Sequence, residues 1–206
     1  MIDPMGGPAF WWPLVAAGIV GYLIGAIPFG VILTKLAGAG DLRQIGSGNI
    51  GATNVLRTGK KSLALAVLVL DALKGAVPAA LAFAWFGPDM AKVTALATVV
   101  GHCYPVYLRF QGGKGVATAA GVLFALTPVI ALVALAAFAV VVALSRYVSL
   151  GSLTAAAAAP LAAWSLGYNQ YQELLALIAL LIVVKHAGNI RRLLKGTENK
   201  LGAKKS

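Results

Sequence analysis

The sequence contains almost no cysteine and few acidic residues. Cys103 is the single cysteine among 206 residues, and Asp and Glu together number 6. One cysteine cannot build a disulfide framework or a thiolate cluster within the chain. The acidic residues are scattered along the sequence and form no cluster suited to a metal ion. We therefore expect neither a metal nor a cofactor.

Charged residues of either sign are scarce, which excludes an ordinary soluble protein. Hydrophobic residues make up 60% of the chain and charged residues 11%, a composition typical of polytopic membrane proteins. The net charge of +11 could indicate nucleic-acid binding. However, the basic residues lie in short segments between apolar runs, where they orient membrane helices. We expect a lipid bilayer as partner and no nucleic acid.

Roughly seven apolar stretches approach the ~20 residues that a helix needs to cross a bilayer. Acidic Asp3 and no basic residue precede the first stretch, which is the wrong pattern for a cleaved signal peptide. The fourth stretch is short, and Thr127-Pro128 either turns the chain after it or kinks one longer helix. The predicted spans lie near residues 10–33, 62–86, 93–108, 116–127, 128–145, 148–167 and 173–187.

The distribution of charge favours the turn. With it, one side of the membrane carries all 17 Lys and Arg residues except Lys74 and Lys92. The other side carries Lys92 with Asp3, Asp89 and Glu173. By the positive-inside rule we expect an all-α membrane protein with about seven transmembrane helices, its N-terminus outside and its C-terminus cytoplasmic. We expect residues 1–206 to form a single domain.

A glycine-rich loop reads GSGNIGATN from Gly46 to Asn54. It contains G-x-G-x-x-G, but a dinucleotide fingerprint requires a soluble βαβ unit, whereas membrane spans flank this loop. Glycines let backbone N–H groups approach an anion, and polar side chains can hold its oxygens. The alternative is a turn that caps the next helix. The candidate phosphate-binding residues are Ser47, Asn49, Gly51, Thr53, Asn54 and Arg57.

A second loop reads FQGGKGVATAAG from Phe110 to Gly121. It fails as a Walker A motif, because Leu108 replaces the first Gly and Gly115 replaces the residue that would hold magnesium. Free N–H groups, a helix N-terminus and an ammonium together still suit a phosphate. The alternative is a flexible connector whose lysine only fixes topology. The candidate residues are Gly112, Gly113, Lys114, Gly115 and Thr118.

The third cluster reads KHAGNIRRLLKGTENK from Lys185 to Lys200. Helical spacing puts His186, Asn189 and Arg192 or Arg191 on one face. Glu198 follows Gly196, where we expect the helix to stop. The alternative is a basic amphipathic tail on anionic lipid, which we prefer for Lys204 and Lys205.

Four further polar residues lie within or near the apolar runs. Ser149 either lines a helix or touches substrate. Asp71 and Lys74 are three residues apart on one helix face and form either a structural or a functional ion pair. His102 is either a packing residue or a catalyst.

Together the three clusters resemble the three signatures of bacterial acyl-phosphate:glycerol-3-phosphate acyltransferases. The matching positions are Ser47 to Asn54, Gly112 to Thr118, and His186 followed by Asn189, Arg192, Gly196, Glu198 and Lys200; the DALKG and GHCYPV segments also fit. The resemblance implies transfer of a fatty acyl group from acyl phosphate to the 1-hydroxyl of glycerol 3-phosphate, giving lysophosphatidic acid and phosphate. It also implies a bacterial inner-membrane protein with its active site on the cytoplasmic side, and a monomer is compatible with it.

The resemblance also assigns expected roles. The Gly112–Gly115 loop with Lys114 would hold glycerol 3-phosphate and the remaining donors the acyl phosphate, although which loop takes which phosphate stays open. His186 and Glu198 would orient the attacking hydroxyl or relay its proton, or a substrate phosphate oxygen would be the base. The expected catalytic residues are His186, Glu198, Ser47 and Asn189. The substrate-binding set also includes Ser149, Asn189, Arg192 and Lys200. The expected supporting residues are Asp71, Lys74 and His102.

Other function classes are less consistent with the sequence. Acyl-CoA-dependent acyltransferases resemble one another by an aspartate five positions after a histidine, and those positions are Tyr107 and Arg191 here. A transporter or lipid flippase for phosphorylated solutes also suits buried charges and broken helices, but no internal repeat is visible. A passive membrane scaffold would not need three polar clusters on one face.

Overall fold

The computed structural model describes residues 11–202, and within them the fold is entirely helical. Four helical segments in this range are long and apolar enough to cross a membrane, or five if the bent pair Asn169–Lys185 and Ala187–Leu194 counts as one span. The four are Trp11–Leu36, Lys61–Phe86, Pro128–Ser145 and Val148–Ser165. The chain is therefore a multi-pass membrane protein. The ten α-helices of the described range are α1 Trp11–Gly25, α2 Phe29–Leu36, α3 Ala52–Val55, α4 Lys61–Phe86, α5 Pro88–Cys103, α6 Val116–Leu126, α7 Pro128–Ser145, α8 Val148–Ser165, α9 Gln172–Lys185 and α10 Ala187–Leu194.

The chain divides into two compact units, residues 1–126 and 127–206. In the first unit, α1 packs on α5, and α4 packs on α6. Glycines permit both contacts: a Cβ on Gly25 would meet the backbone of Thr98, and one on Gly75 would meet the carbonyl of Thr118. Small residues allow membrane helices to approach closely, and this close packing fixes the frame of the first unit.

In the second unit, α8 packs between α7 and α9. Gly151 of α8 faces α7, since a Cβ there would lie 3.0 Å from the carbonyl oxygen of Phe138. α9 and α10 meet at an angle of 61°, and the residue between them is His186.

Several predicted spans are close to the observed helices. Proline at the start of α7 and the break at Thr127 confirm that the fourth and fifth stretches are separate helices. Asp3, Lys204 and Lys205 lie outside the described residues. Seven spans and the orientation of the termini remain predictions.

Two predicted spans differ from the observed helices. The first stretch, predicted over 10–33, corresponds to one candidate span at Trp11–Leu36, but this span contains two helices, α1 and α2. The chain breaks at residues 26–28, where a proline disfavours helical geometry in the residue before it. The third was predicted over 93–108 but is α5 at Pro88–Cys103. Pro88 is suited to the first turn of a helix, and Pro105 prevents its continuation.

Candidate active site

Asn54 organises the first glycine-rich loop. Its side chain is buried, and its amide nitrogen donates to the carbonyl oxygens of Leu42 and Ile45 at 3.1 and 2.8 Å. Its amide oxygen accepts the backbone N–H of Ser47 at 3.1 Å. Asn54 therefore holds the loop in shape, which favours a structural role for this residue over a phosphate contact.

The exposed side of the same loop carries the remaining candidates. Ser47, Thr53 and Arg57 are exposed, while Asn49 accepts the N–H of Gly51 at 2.9 Å. Gly46 has φ of 59° and lies under the Arg57 side chain, whose Nη1 would be 3.0 Å from an added Cβ. The loop thus presents two hydroxyls and one guanidinium on its exposed side.

The second loop is bound to the end of α5. Gly113 donates its N–H to the carbonyl oxygen of His102 at 3.0 Å. This N–H is not available to a phosphate, contrary to the expectation of a loop of free N–H groups. A Cβ on Gly113 would also collide with the His102 ring, and Gly115 has φ of 80° just before α6. Lys114 is therefore carried by a tightly held turn, not by a flexible connector.

Thr118 lies in the contact between α4 and α6. Its side chain is fully buried beside Gly75. This position favours a packing role over the predicted phosphate contact.

The charged pair of α4 is an ion pair. Lys74 Nζ lies 2.8 Å from Asp71 Oδ1, and the side chains are 2% and 3% exposed. His102 Nδ1 lies 3.6 Å from the same carboxylate oxygen. All three predicted support residues are thus together in the first unit, next to the second loop.

Glu198 is the centre of the third cluster, in the second unit. Its Oε1 accepts hydrogen bonds from Ser149 Oγ at 2.9 Å and Asn189 Nδ2 at 2.6 Å. Its Oε2 accepts one from Arg192 Nε at 2.6 Å. The structure therefore joins four predicted site residues, and we call Ser149, Asn189, Arg192 and Glu198 the Glu198 cluster.

Glu198 lies beyond the last helix and is ionised at neutral pH. Burial alone raises the pKa of its carboxyl, but the hydrogen bonds from Asn189, Ser149 and Arg192 outweigh burial and hold the pKa below its ordinary value. A carboxylate with a lowered pKa is a weak base. This favours orienting its three donors over relaying a proton.

His186 is buried at the bend between α9 and α10. Its Nδ1 lies 2.8 Å from the carbonyl oxygen of Ile182. Because a carbonyl only accepts, Nδ1 carries the proton in this contact. The lone pair of the neutral ring is then on Nε2, which suits a base or an acceptor.

The segment after α10 turns back onto the connection between α7 and α8. Gly196 has φ of 68°, which permits the reversal. Leu201 donates its N–H to the Arg146 carbonyl oxygen at 2.7 Å and accepts from Arg146 Nη2 at 2.8 Å. Lys200 Nζ lies 5.5 Å from the Tyr147 ring centre, so its observed contact is aromatic.

The match to a known family decides what these clusters belong to. A sequence profile described as glycerol-3-phosphate acyltransferase matches residues 15–196. The chain belongs to the glycerol-3-phosphate acyltransferase family. The resemblance inferred from the three motifs is thereby confirmed.

Individual members of the acyltransferase family are similar over almost their whole length. The glycerol-3-phosphate acyltransferase of Brucella canis is 53% identical over 191 residues, covering 93% of this chain and 94% of that protein. The one of Sinorhizobium medicae is 50% identical over 200 residues, covering 95% and 98%. A crystal structure of PlsY (YgiH), an integral membrane glycerol 3-phosphate acyltransferase, in its glycerol 3-phosphate form has a TM-score of 0.88 and 44% identity, covering 92% of this chain and 96% of that one. The lysophosphatidic acid form of PlsY gives a TM-score of 0.86 and 42% identity, covering 92% and 95%.

In the sequence of this acyltransferase, Arg146 stands out only as one of the basic residues that set the topology. Arg146 holds the terminal segment through Leu201 and has φ of 65°, which is unusual for a side chain with a Cβ. Its position at the end of α7, three residues before Ser149, was the available signal. The partner at Leu201 could not be read from the sequence, because 55 positions separate the two residues.

Proposed function

We propose that this chain transfers a fatty acyl group from acyl phosphate to the 1-hydroxyl of glycerol 3-phosphate, giving lysophosphatidic acid and phosphate. The Glu198 cluster carries the proposal: three donors from the third family signature and α8 converge on one ionised carboxylate. The family membership and the likeness to PlsY in its glycerol 3-phosphate form support the acceptor. The donor rests on the resemblance and on the chemistry of the site.

The reaction needs positioning more than a strong nucleophile. The 1-hydroxyl oxygen attacks the acyl carbonyl carbon, an ester bond forms, and the bond from that carbon to the phosphate oxygen breaks. Phosphate is a good leaving group, so orientation of the two substrates and stabilisation of their charge can supply most of the rate. The hydroxyl proton leaves to a base.

Three cationic side chains suit the substrate phosphates. Lys114 stands on the held turn before α6, Arg57 on the first loop, and Arg192 beside Glu198. We propose Ser47, Asn49 and Thr53 as further ligands from the first loop. Gly51, Asn54, Gly112, Gly113 and Gly115 shape the two loops, and Thr118 packs between α4 and α6. Lys200 is a further proposed phosphate ligand, from the terminal segment.

His186 is the proposed base or hydroxyl acceptor. With its Nδ1 proton directed to Ile182, its Nε2 can take the hydroxyl proton. Glu198 acts through Ser149, Asn189 and Arg192, because a held carboxylate with a lowered pKa fixes donors better than it takes a proton.

We also propose the topology that the charges predict. Residues 1–206 form one acyltransferase domain with seven spans in the bacterial inner membrane, the N-terminus outside and the active site cytoplasmic. Signature residues of one family in both units support a single domain. Trp85 and Trp164 are 70% and 71% exposed near the ends of α4 and α8, as interfacial aromatics are, and both helix ends lie outside in this topology.

Acyl transfer and transport give different results in one vesicle assay. Purified protein in sealed vesicles receives labelled glycerol 3-phosphate and palmitoyl phosphate. We expect labelled lysophosphatidic acid in the bilayer and no accumulation of glycerol 3-phosphate inside. Uptake of unmodified glycerol 3-phosphate without any lipid product would contradict the enzyme and support a transporter.

A further inference from the structure

A buried ion pair in α4 is not required by the chemistry described so far. Asp71 and Lys74 lie in a helix long and apolar enough to span the membrane, and both are almost inaccessible. Burying two charges is costly, and well-packed apolar residues at such positions are often as stable. The pair therefore calls for an explanation beyond stability.

Lys74 connects α4 to the break between α1 and α2. Its Nζ donates to the carbonyl oxygen of Ile27, within the break, at 2.7 Å, and the same oxygen accepts the N–H of Phe29 at 3.1 Å. The same ammonium lies 5.6 Å from the ring centre of Phe29. Lys74 is thus fixed from three directions, and it fixes Asp71 in turn.

Asp71 connects the pair to α5. The Oδ1 atom that contacts Lys74 also lies 3.6 Å from Nδ1 of His102. The His102 ring therefore lies between the carboxylate and the second loop.

His102 connects the chain of contacts to the loop itself. Its carbonyl oxygen accepts the N–H of Gly113 at 3.0 Å. Its ring lies so close to Gly113 that an added Cβ would be 2.8 Å from Cε1 and 2.9 Å from Cδ2. Lys114 is the next residue, so the ring determines where the loop presents its ammonium.

We propose that the Asp71–Lys74 pair, acting through His102, positions the Gly112–Gly115 loop and thereby the Lys114 ammonium for a substrate phosphate. Asp71, Lys74 and His102 are positioning residues, and Lys114 is the residue that touches substrate. This inference rests on the proposed acyl transfer.

The test removes both charges together. Asp71→Leu combined with Lys74→Met leaves no unpaired buried charge, so the protein should fold. The matched control is Asp89→Leu with Lys92→Met, an ion pair of the same spacing at the start of α5. Michaelis constants are measured for both phosphorylated substrates, along with thermal unfolding in detergent.

We expect the Asp71–Lys74 variant to raise the Michaelis constant for one substrate by about tenfold, equivalent to about 1.4 kcal/mol. It should be the same substrate whose constant Lys114→Ala raises. The control pair should change neither constant by more than about twofold.

A double-mutant cycle separates positioning from general damage. Adding the Asp71–Lys74 change to Lys114→Ala should cost little more, because the loop no longer carries the group being positioned. The inference would be overturned if the effects of the two changes on the Michaelis constant multiplied fully. It would also be overturned if the Asp71–Lys74 variant folded and kept an unchanged Michaelis constant.

His102→Gln provides a second route if the pair variant fails to fold. It keeps the backbone carbonyl and removes the ring, and we expect the same substrate to be affected. An unchanged constant would overturn the inference. Inactivity of the wild-type protein with both substrates would contradict the proposed function instead.

Discussion

Replacing Glu198 by Gln tests whether its carboxylate organises the third cluster. Glu198 accepts three hydrogen bonds through two oxygens, from Ser149, Asn189 and Arg192. A glutamine amide offers one oxygen and one NH₂ group, so at least one of the donors would face another donor. The variant therefore loses at least one bond to a charged group.

The expected magnitude follows from the bond to Arg192. A hydrogen bond to a charged group contributes about 1.5–3 kcal/mol. The Arg192 side chain is 41% exposed, so solvent screening favours the lower part of that range. We expect kcat/KM to fall by about 10- to 30-fold, which corresponds to about 1.4–2 kcal/mol.

The assay measures kcat/KM for both substrates and thermal unfolding in detergent. Asn199→Ala, at the exposed neighbouring position, is the control and should retain wild-type kinetics. A Glu198→Gln variant with kcat/KM within about twofold of wild type would refute the reasoning.

Three further predictions concern the loop, the pH dependence and the topology. Gly113→Val should abolish activity or raise a Michaelis constant strongly, because the added Cβ collides with the buried His102 ring. Gly18→Ala, whose Cβ would make only ordinary contact with Val93, is the control. Near-normal kinetics for Gly113→Val would contradict a held loop. Because the pKa of Glu198 is lowered in the folded state, its carboxylate stabilises the folded protein at pH values above the ordinary pKa of 4.5. This stabilisation is lost as the pH falls through the lower folded-state pKa. Thermal stability of wild type should therefore fall more steeply than that of Glu198→Gln below about pH 4.5, and parallel curves would contradict this linkage. A reporter that works only in the cytoplasm should be active when fused after Ser206, and one that works only in the periplasm should be active when inserted near Asp89. The reverse pattern would contradict the topology.

Helix positions were predictable where local chemistry marks their ends. The stretch predicted at 62–86 is α4, and the one at 128–145 is α7. Glycine before α4 and proline at the start of α7 act within a few residues. The break at residues 26–28 was missed because hydropathy stays high across it, and it is stabilised by Lys74, 47 positions away from Ile27.

The candidate site was predictable as a set of residues but not as a geometry. Helical spacing and the reversal at Gly196 place Asn189, Arg192 and Glu198 close together. The bond from Ser149 to Glu198 joins residues 49 positions apart, and tertiary packing determines it. For the same reason, the sequence suggested that Gly113 offers a free N–H, whereas the fold directs that group to His102.

The acyl donor is the most direct test of the central claim. Purified protein is given labelled glycerol 3-phosphate with palmitoyl phosphate, with palmitoyl-CoA or with no donor, without added metal, and the products are separated by polarity. Phosphate release is measured in parallel. We predict labelled lysophosphatidic acid with palmitoyl phosphate alone, accompanied by one phosphate for each acyl group transferred. Efficient use of palmitoyl-CoA, or lipid product without equal phosphate release, would contradict it.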